Sequence, residues 1–421
     1  MKINSDWYTK GMEHIWLPYT QMKTMKDPQP VIATEGVRLR LADGTELIDG
    51  ISSWWAAVHG YNHPHIMEAM KTQVEVMPHS MFGGLVNEPA LELATRLADM
   101  LPGDLNRSFF AESGSVSVEI AMKMAVQYYL NKGETRGRFV HFRDTYHGDT
   151  FGAMAVGDPD DGMHSQFSDV VEKNLLTDLP RTQAEADAFK VFLKKHAHEV
   201  AAVITEPLVQ GAGGMIFHGP ETLRWIREAC DEADVLFIVD EIFTGFYRTG
   251  SRFAIDQAGI VPDMITLSKA LSGGVSPLSV CVARDKVFDA FYDEDPEKAF
   301  MHGPTYMGHA LGCAAANASL DLFDGEDYAK KVSAIEAQMA KELEPCRALA
   351  NVKEVRVKGA IGVVQLEDAS NLDALKPLFV EAGVWIRPFG DIVYLTPPLV
   401  IEPNDLSVLT SAILKVLQSA A

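Results

Sequence analysis

Hydrophobic and polar positions follow two different patterns along the first three quarters of the chain. Apolar and polar residues alternate over residues 31–49 on both sides of Asp43-Gly44, which is typical of a β-hairpin. From about residue 63 the pattern changes to helices separated by short apolar strands. Helical periodicity covers roughly 86–101, 115–131, 221–233 and 306–323, and the strand-like runs are 138–142, 201–205, 235–240, 264–267 and 278–283. Apolar strands between helices predict an α/β fold with a mainly parallel central sheet that is covered by helices on both faces.

The pattern changes again after about residue 325. A long helix leads into short strands within 352–359, 361–366, 383–388 and 391–398, and a final helix follows. This α+β pattern predicts a second, smaller domain. We predict a large domain over residues 52–325 and a small domain formed by residues 1–51 and 326–421, with the N-terminal hairpin joining the C-terminal part.

Composition and charge limit the classes of function. At 421 residues and 47% hydrophobic, the chain is large enough to bury a sizeable core. A net charge of −21 argues against nucleic acid or an anionic membrane as the main partner. Four cysteines, at positions without metal-like spacing, predict core thiols in a reducing compartment. Residues 1–16 contain no apolar signal core and no run is long enough to span a bilayer, so we expect a cytoplasmic protein.

Two charged residues stand where predicted strands end, which is where ligands bind in open parallel sheets. Asp240 ends the strand 235–240, and a buried carboxylate is costly unless it is paired. It either caps the next turn or pairs with a cation such as a protonated pyridine nitrogen. Lys269 follows the next strand; a partly desolvated lysine has a lowered pKa and becomes a nucleophilic amine. The alternative is a lysine whose amine extends to solvent.

Two further segments complete a possible cofactor site. Residues 111–125 form a small-residue turn that opens a helix, where free N–H groups with Ser113 and Ser115 can hold a phosphate; an N-cap serine without a ligand is the alternative. Tyr146 follows the strand 138–142 and could stack on a flat ring. The neighbouring His147 is not expected to bind a metal, because no second ligand lies at a useful spacing.

A phosphate cradle, a stacking ring, a carboxylate and a lysine at strand ends are together what pyridoxal phosphate requires. The lysine would bind the cofactor covalently, the carboxylate would keep the ring nitrogen protonated, and the helix would hold the phosphate. Once displaced by substrate, the free amine of Lys269 could move a proton between substrate and cofactor carbons. The sequence lacks the glycine motifs of dinucleotide and nucleoside-triphosphate sites, which argues against either of these sites.

The motifs also resemble a known family over nearly the whole chain. ITEPLVQGAGG (204–214), VDEIFTGFYRTG (239–250) and DMITLSKALSGG (263–274) are similar to the class III, fold type I, pyridoxal-phosphate aminotransferases. Within that class the similarity is greatest to the branch that acts in biotin synthesis. The segments that indicate this branch are 14–22, 49–64, 81–84, 113–125, 146–154, 301–320 and 383–390.

The resemblance implies roles for particular residues of the cofactor site. Lys269 would carry the cofactor and Asp240 would pair with its pyridine nitrogen. Tyr146 would stack on the ring. The phosphate would be bound by Gly114 and Ser115, with Thr305 arriving from the other subunit of a homodimer that has its active sites at the interface. Pro304 would also contact the cofactor and would shape the pocket beside Thr305 together with Gly303.

The resemblance also implies a substrate pocket. Trp54, Trp55 and Tyr19 would form its walls together with Tyr146 and Gly303, Tyr19 would join Lys269 and Asp240 in catalysis, and Arg387 would bind the carboxylate of the keto acid. Without the resemblance, a tryptophan pair is more often core or dimer interface. An arginine that follows two apolar residues, as Arg387 does, usually pairs with a carboxylate.

Two departures from the wider class bear on the substrate. Many ω-amino-acid aminotransferases carry a glutamate within QGEGG that neutralises the substrate arginine, whereas this chain has Ala212. Phe243 replaces a glutamine near the cofactor phenolic oxygen. The resemblance therefore implies transamination of 8-amino-7-oxononanoate with S-adenosylmethionine as the donor, and neither glutamate as donor nor a metal.

Three alternatives remain open from the sequence. The first is another class III ω-aminotransferase that uses lysine, alanine or a diamine. The second is a nucleotide-dependent dehydrogenase on a doubly wound sheet, for which Lys269 would be unneeded. The third is a non-catalytic binding protein that kept the fold, although the intact Asp240 and Lys269 argue against it.

Overall fold

The computed structural model describes residues 6–160, 163–368, 370 and 372–419. Its strands are β1 (Val31–Glu35), β2 (Arg38–Leu41), β3 (Glu46–Asp49), β4 (Leu105–Ala111), β5 (Arg138–Phe142), β6 (Leu175–Thr177), β7 (Val200–Thr205), β8 (Val209–Gln210), β9 (Ile216–Phe217), β10 (Leu236–Asp240), β11 (Met264–Leu267), β12 (Ser279–Arg284), β13 (Val352–Lys358), β14 (Ile361–Leu366), β15 (Val384–Trp385) and β16 (Ile392–Leu395).

The helices are α1 (Asp6–Met12), α2 (Pro64–Val76), α3 (Glu88–Met100), α4 (Gly114–Asn131), α5 (Phe151–Met154), α6 (Gln183–His196), α7 (Pro220–Ala233), α8 (Ala254–Ala258), α9 (Asp285–Asp289), α10 (Ala310–Gly325), α11 (Tyr328–Leu343), α12 (Leu372–Glu381) and α13 (Pro403–Ser419). Short 3₁₀ segments occupy Ser165–Phe167, Lys269–Ser272, Pro296–Lys298 and Glu344–Ala348. No helix among these is long and apolar enough to cross a bilayer.

A seven-stranded sheet in the order β4-β12-β11-β10-β7-β5-β6 carries the core of the molecule. All neighbouring pairs from β11 to β6 are parallel, and β12 is antiparallel to both of its neighbours. Strands β7, β10 and β11 are buried along their whole length because helices cover both faces of the sheet. The predicted α/β fold with a mainly parallel sheet is confirmed.

The N-terminal hairpin joins the C-terminal part of the chain through backbone pairing. Strands β2 and β3 pair antiparallel around Asp43-Gly44, as the sequence predicts. Strand β15 then pairs parallel with β3, which completes a four-stranded sheet in the order β1-β2-β3-β15. Strands β13, β14 and β16 form a separate antiparallel sheet. The boundaries of the two domains, at residues 52 and 325, stay a prediction.

Several predicted elements differ from those in the structure. Strand β4 was not predicted, because Asn106-Arg107-Ser108 interrupts its apolar run at the edge of the sheet. The helix predicted from residue 306 begins at Ala310, where the ring of His309 caps it by accepting from the Gly312 N–H. The strands predicted over 383–388 and 391–398 are limited to β15 and β16. Prolines 388, 397 and 398 have no N–H to donate, which accounts for their early ends.

Buried thiols and a buried carboxylate lie within this core. All four cysteines are buried and free, which confirms the prediction of core thiols. Asp263, just before β11, is fully buried. Its Oδ2 accepts from the Phe237 N–H at 2.8 Å and from Arg227 Nη1 at 2.9 Å, and its Oδ1 lies 2.5 Å from Lys286 Nζ. One carboxylate therefore links β10, α7 and α9 to the start of β11.

Replacing Asp263 with alanine is expected to lower the free energy of unfolding by about 3–5 kcal/mol, because it removes this carboxylate from the buried guanidinium of Arg227. Asp285→Ala is the matched control: its pair with Arg107 is about half exposed, so its loss should cost much less stability. Urea unfolding of both variants measures the difference. Equal losses of unfolding free energy in the two variants would show that burial does not determine how much the Asp263 contacts stabilise the fold.

Candidate active site

The predicted cofactor residues lie around one cavity at the carboxyl ends of the central strands. Asp240, the last residue of β10, is in register with Thr266 of the parallel strand β11, which places Lys269 just beyond the sheet edge. The cavity is lined by Trp55, Gly114, Ser115, Tyr146, His147, Gly148, Glu206, Asp240, Ile242, Phe243, Ser268 and Lys269. A larger cavity around Phe109, Phe288 and Phe300 carries none of these groups. The chemistry of the lining, and not cavity size, therefore locates the site.

Lys269 is held in an unusual backbone conformation with its amine inside the cavity. Its φ of +48° lies in the left-handed region, and Ser268 Oγ fixes the preceding residue by donating to the Leu278 carbonyl at 2.8 Å. The amine lies 4.8 Å from the ring centroid of Trp55. Burial lowers the pKa of Lys269, although the charges of nearby carboxylates oppose the shift. The alternative of a lysine that extends to bulk solvent is wrong, and the amine is suited to nucleophilic attack.

Asp240 caps the following turn, which is one of the two roles considered from the sequence, and it also lines the cavity. Its Oδ1 accepts from the Ile242 N–H at 3.0 Å and from Thr266 Oγ1 at 3.2 Å, so it caps the following turn. Its Oδ2 lies 2.7 Å from His147 Nδ1 and faces the cavity. The adjacent Glu241 is different, because its carboxylate is directed away to accept from the N–H groups of Ala254 and Ile255. Only the first carboxylate of the Asp-Glu pair belongs to the site.

Sequence reasoning missed a buried chain of hydrogen bonds behind Asp240. The Nε2 of His147 lies 3.0 Å from Thr145 Oγ1, which donates to Glu206 Oε2 at 3.0 Å. Glu206 also accepts from the N–H groups of Tyr146 and Gly211. One chain of hydrogen bonds therefore runs from Glu206 through Thr145 and His147 to Asp240. The position of Glu206 directly after β7 was the available signal in the sequence.

The start of helix α4 provides a potential phosphate site. Ser113 Oγ accepts from the Val116 N–H at 3.4 Å, so the expected N-cap is present, and the first N–H groups of the helix have no intrahelical acceptor. Gly114 is packed so closely that a Cβ there would lie 2.9 Å from Ile242 Cδ1. Ser115 Oγ accepts from the Asp149 N–H at 3.2 Å. The helix start is thus fixed against the loop that carries Tyr146.

Two tyrosines converge on Asp149 at the cavity mouth. Tyr19 OH donates to Asp149 Oδ2 at 2.5 Å, and Tyr146 OH donates to Oδ1 at 3.1 Å. His164 lies 2.9 Å from the same Oδ1, and its hydrogen bond is the main cause of the lowered pKa of Asp149. Burial raises the pKa of Tyr19 to about 12, so its hydroxyl keeps its proton at neutral pH. The cluster fixes Tyr146, whose ring lies 5.5 Å from that of His164.

The two tryptophans occupy different environments. Trp55 is buried, and its ring lies 4.1 Å from that of Phe243, which itself lines the cavity. Trp54 is 40% exposed and lies edge-on to Tyr19, with the guanidinium of Arg387 5.3 Å from its ring centroid. Trp55 therefore belongs both to the hydrophobic core and to the cavity wall, whereas Trp54 lies at the mouth of the cavity.

The expectation that Arg387 pairs with a carboxylate of the chain is wrong. Within the described ranges, no Asp or Glu oxygen lies within 4 Å of its guanidinium, and the Trp54 ring is its neighbour instead. Its charge is therefore available to a ligand.

Three further residues that were predicted for the site do not line the cavity of their own chain: Gly303, Pro304 and Thr305. Gly303 and Thr305 are exposed.

Ala212 and Phe243 lie on the side of the cavity next to Glu206. Phe243 is packed against the backbone of Gly211, where an added Cβ would meet its ring at 2.8 Å. Ala212 follows in the same turn and packs against the hydrophobic core. The glutamate of the wider class is thus replaced by a methyl group in this turn.

Comparison with known proteins gives consistent results over nearly the whole chain. The profile of the family described as Aminotransferase class-III matches residues 21–417. The adenosylmethionine-8-amino-7-oxononanoate aminotransferase of Buchnera aphidicola subsp. Acyrthosiphon pisum (strain APS) is 41% identical over 408 residues, which is 95% of each protein.

Two solved structures are similar in fold. The crystal structure of adenosylmethionine-8-amino-7-oxononanoate aminotransferase from Methanocaldococcus jannaschii DSM 2661 has a TM-score of 0.93 and 33% identity, covering 98% of both chains. A PLP-bound amine transaminase from an uncultivated Pseudomonas species has a TM-score of 0.91 and 29% identity, covering 97% of this chain and 99% of its own.

The pKa of Glu206 predicts a pH dependence of stability in the cofactor-free protein. Burial raises this pKa from 4.5 to about 7, so folding disfavours the ionised carboxylate, and stability falls as pH rises through this window. A glutamine has no such transition. The free energy of unfolding of the wild type relative to Glu206→Gln should fall by about 3 kcal/mol between pH 4.5 and 7. Urea unfolding across this range measures it, and a constant difference would contradict the assignment.

Proposed function

Since the chain belongs to the class III aminotransferases, we propose that it converts 8-amino-7-oxononanoate to 7,8-diaminononanoate with S-adenosylmethionine as the amino donor, a step of biotin synthesis. The predicted aminotransferase class, fold type and pyridoxal-phosphate cofactor are confirmed by the family match and by the solved relatives. The observation that carries the substrate assignment is 41% identity, over 95% of the chain, to a relative named for this reaction.

The residues of the cavity fit the cofactor. The N–H groups at the start of α4, with Gly114 and Ser115, suit a phosphate. The ring of Tyr146, the carboxylate of Asp240 and the amine of Lys269 line the same cavity and suit the ring, its nitrogen and its aldehyde. When bound, pyridoxal phosphate supplies an electron sink that stabilises negative charge at a substrate carbon.

Lys269 and Asp240 have complementary roles in this proposal. Because burial lowers its pKa, the Lys269 amine is a stronger nucleophile near neutral pH and can accept and return a proton at its Nζ. Hydrogen bonds from the Ile242 N–H and Thr266 Oγ1, together with His147 Nδ1 at 2.7 Å, hold the Asp240 carboxylate in place. This carboxylate would pair with the protonated ring nitrogen of the cofactor.

The groups at the mouth of the cavity suit the two substrates. Arg387 has no carboxylate partner within the described ranges and can take the carboxylate of the keto acid in a bidentate manner. Trp54, Trp55 and Tyr19 give aromatic walls that favour the cationic sulfonium of the donor. Many ω-aminotransferases have a glutamate that neutralises the substrate arginine, and this chain has Ala212 in its place. Arg387 therefore lacks that neutralising partner, which supports a donor other than glutamate.

A homodimer accounts for residues that lie away from the cavity. Gly303, Pro304 and Thr305 belong to a segment flanked by the exposed Met301 and Tyr306. Met81, Leu85 and Val86 are also more than half exposed. We assign these apolar residues to the dimer interface and Thr305 to the phosphate site of the partner. The net charge of −21 argues against nucleic acid or an anionic membrane as a partner.

The proposal is tested by supplying purified holoenzyme with 8-amino-7-oxononanoate and one donor at a time. S-adenosylmethionine should give 7,8-diaminononanoate, detected by mass spectrometry, at a rate well above those with lysine, alanine or a diamine. Preference for one of those three donors would favour the alternative of another class III ω-aminotransferase.

Lys269→Ala should leave a folded protein that lacks covalently held cofactor and has lost nearly all turnover, because Lys269 is the only lysine among the described residues that line the cavity. Absorbance of the bound cofactor and product formation are the two readouts. Lys190→Ala is the control, since that lysine pairs with Glu228 and Glu232 on the surface. Turnover at the wild-type rate in Lys269→Ala would refute the role.

Arg387→Ala should raise the KM for the keto acid by about 10- to 100-fold, the value expected for one charge-assisted contact. The half-reaction with S-adenosylmethionine alone should change much less. Arg347→Ala, which removes a half-exposed arginine paired with Glu344, is the matched control. Equal damage to both half-reactions would argue against a keto-acid site at Arg387.

A further inference from the structure

Four consecutive residues ahead of the site have a left-handed backbone although none is glycine. Ser52, Ser53, Trp54 and Trp55 have φ values of 50°, 46°, 56° and 74°. The Trp55 N–H donates to the Ile51 carbonyl at 2.8 Å, and the Ala56 N–H donates to that of Ser52 at 2.9 Å. We name this segment the left-handed turn. L-residues carry a steric cost in this conformation, so it persists only where its surroundings impose it.

A single buried carboxylate organises the turn. Asp49 is fully buried at the end of β3. Its Oδ1 accepts from the Ile51 N–H at 2.9 Å, and its Oδ2 accepts from the Ser53 N–H at 2.8 Å and from Tyr61 OH at 2.6 Å. Ser53 Oγ and Tyr61 OH also contact each other. Burial raises the pKa of Asp49, and these hydrogen bonds oppose the shift.

The turn is also fixed to the C-terminal strands that lead to Arg387. Ser52 Oγ donates to the Thr396 carbonyl at 2.7 Å, and the Thr396 N–H donates to the Gly50 carbonyl at 2.8 Å. The Gly50 N–H in turn donates to the Trp385 carbonyl at 3.0 Å. Backbone shifts in the turn would therefore be transmitted to the segment that carries Arg387.

The two indoles at the end of the turn serve different parts of the site. Trp55 lies under the Lys269 amine and against Phe243, whereas Trp54 lies beside the guanidinium of Arg387 and the ring of Tyr19. A right-handed backbone at Ser53 and Trp54 would direct the Trp54 ring elsewhere. The alignment of Trp54 with Arg387 thus depends on the sign of φ in the turn.

We propose that Asp49 is a positioning residue for the keto-acid substrate: its carboxylate holds the left-handed turn and so sets Trp54 against Arg387. The inference rests on the proposed function only in assigning the keto-acid carboxylate to Arg387. Asp49 itself does not line the cofactor cavity, so its effect reaches the substrate through Trp54.

A set of holoenzyme variants separates conformation from general stability. Asp49→Asn keeps the shape of the side chain but presents N–H₂ to one of the three donors. Glycine adopts positive φ without steric cost, so Ser53→Gly should reduce the need for the carboxylate. Ser53→Ala loses the same hydroxyl as Ser53→Gly but keeps the steric cost, which makes it the matched control.

The readouts are the affinity for 8-amino-7-oxononanoate, by calorimetry without donor, and the near-ultraviolet circular dichroism of Trp54. The Trp54 signal is the difference between each protein and its Trp54→Phe counterpart. In Asp49→Asn we expect a changed Trp54 signal and an affinity weakened by about tenfold. Adding Ser53→Gly should restore both in large part, and adding Ser53→Ala should not.

An unchanged Trp54 signal in Asp49→Asn would overturn the inference, whatever the substrate. Equal rescue by glycine and alanine would also overturn it, since the backbone would not be the cause. A wild-type enzyme that fails to bind the keto acid would contradict the proposed function instead, and the Trp54 signal would still test the positioning by Asp49.

Discussion

The hydrogen-bonded carboxylate of Asp240 is the feature on which the rest of the site depends. A carboxylate at the end of a buried strand is stable only with donors around it, and it has them in His147, Ile242 and Thr266. Because β11 runs parallel to β10 in register, Lys269 follows just beyond the same sheet edge. A carboxylate and an amine therefore line one cavity. Hydrogen bonds hold the carboxylate in place, and burial lowers the pKa of the Lys269 amine.

The outer parts of the site are positioned by chain segments that are distant in sequence. Tyr19 comes from the N-terminal region, and Arg387 follows β15, which pairs with β3. Asp149 joins Tyr19 to Tyr146, and the left-handed turn (Ser52–Trp55) joins the substrate wall to the C-terminal strands. The proposed cofactor residues lie at the carboxyl ends of the central strands, whereas the proposed substrate residues depend on contacts between the N- and C-terminal segments.

Much of the fold and the centre of the site could be predicted from sequence. Strands such as β10 and β11 are continuous apolar runs, so Asp240 and Lys269 could be placed at strand ends. Features that depend on tertiary contacts could not. The hydrogen-bond chain from Asp240 to Glu206 needs side chains from three loops. The positive φ of Trp54 could not be predicted because no glycine in the sequence indicates it. Among the described residues Arg387 lacks the carboxylate partner that such an arginine usually has, and the ring of Trp54 lies next to it.

The attachment of the cofactor to Lys269 can be measured directly. Holoenzyme is treated with borohydride, which fixes a carbon–nitrogen double bond between lysine and cofactor as a stable amine, and is then digested and mapped by mass spectrometry. We expect the cofactor mass on the peptide that contains Lys269 and on no other. Cofactor fixed to a different lysine, or bound with no covalent attachment, would contradict the role of Lys269 at the end of β11.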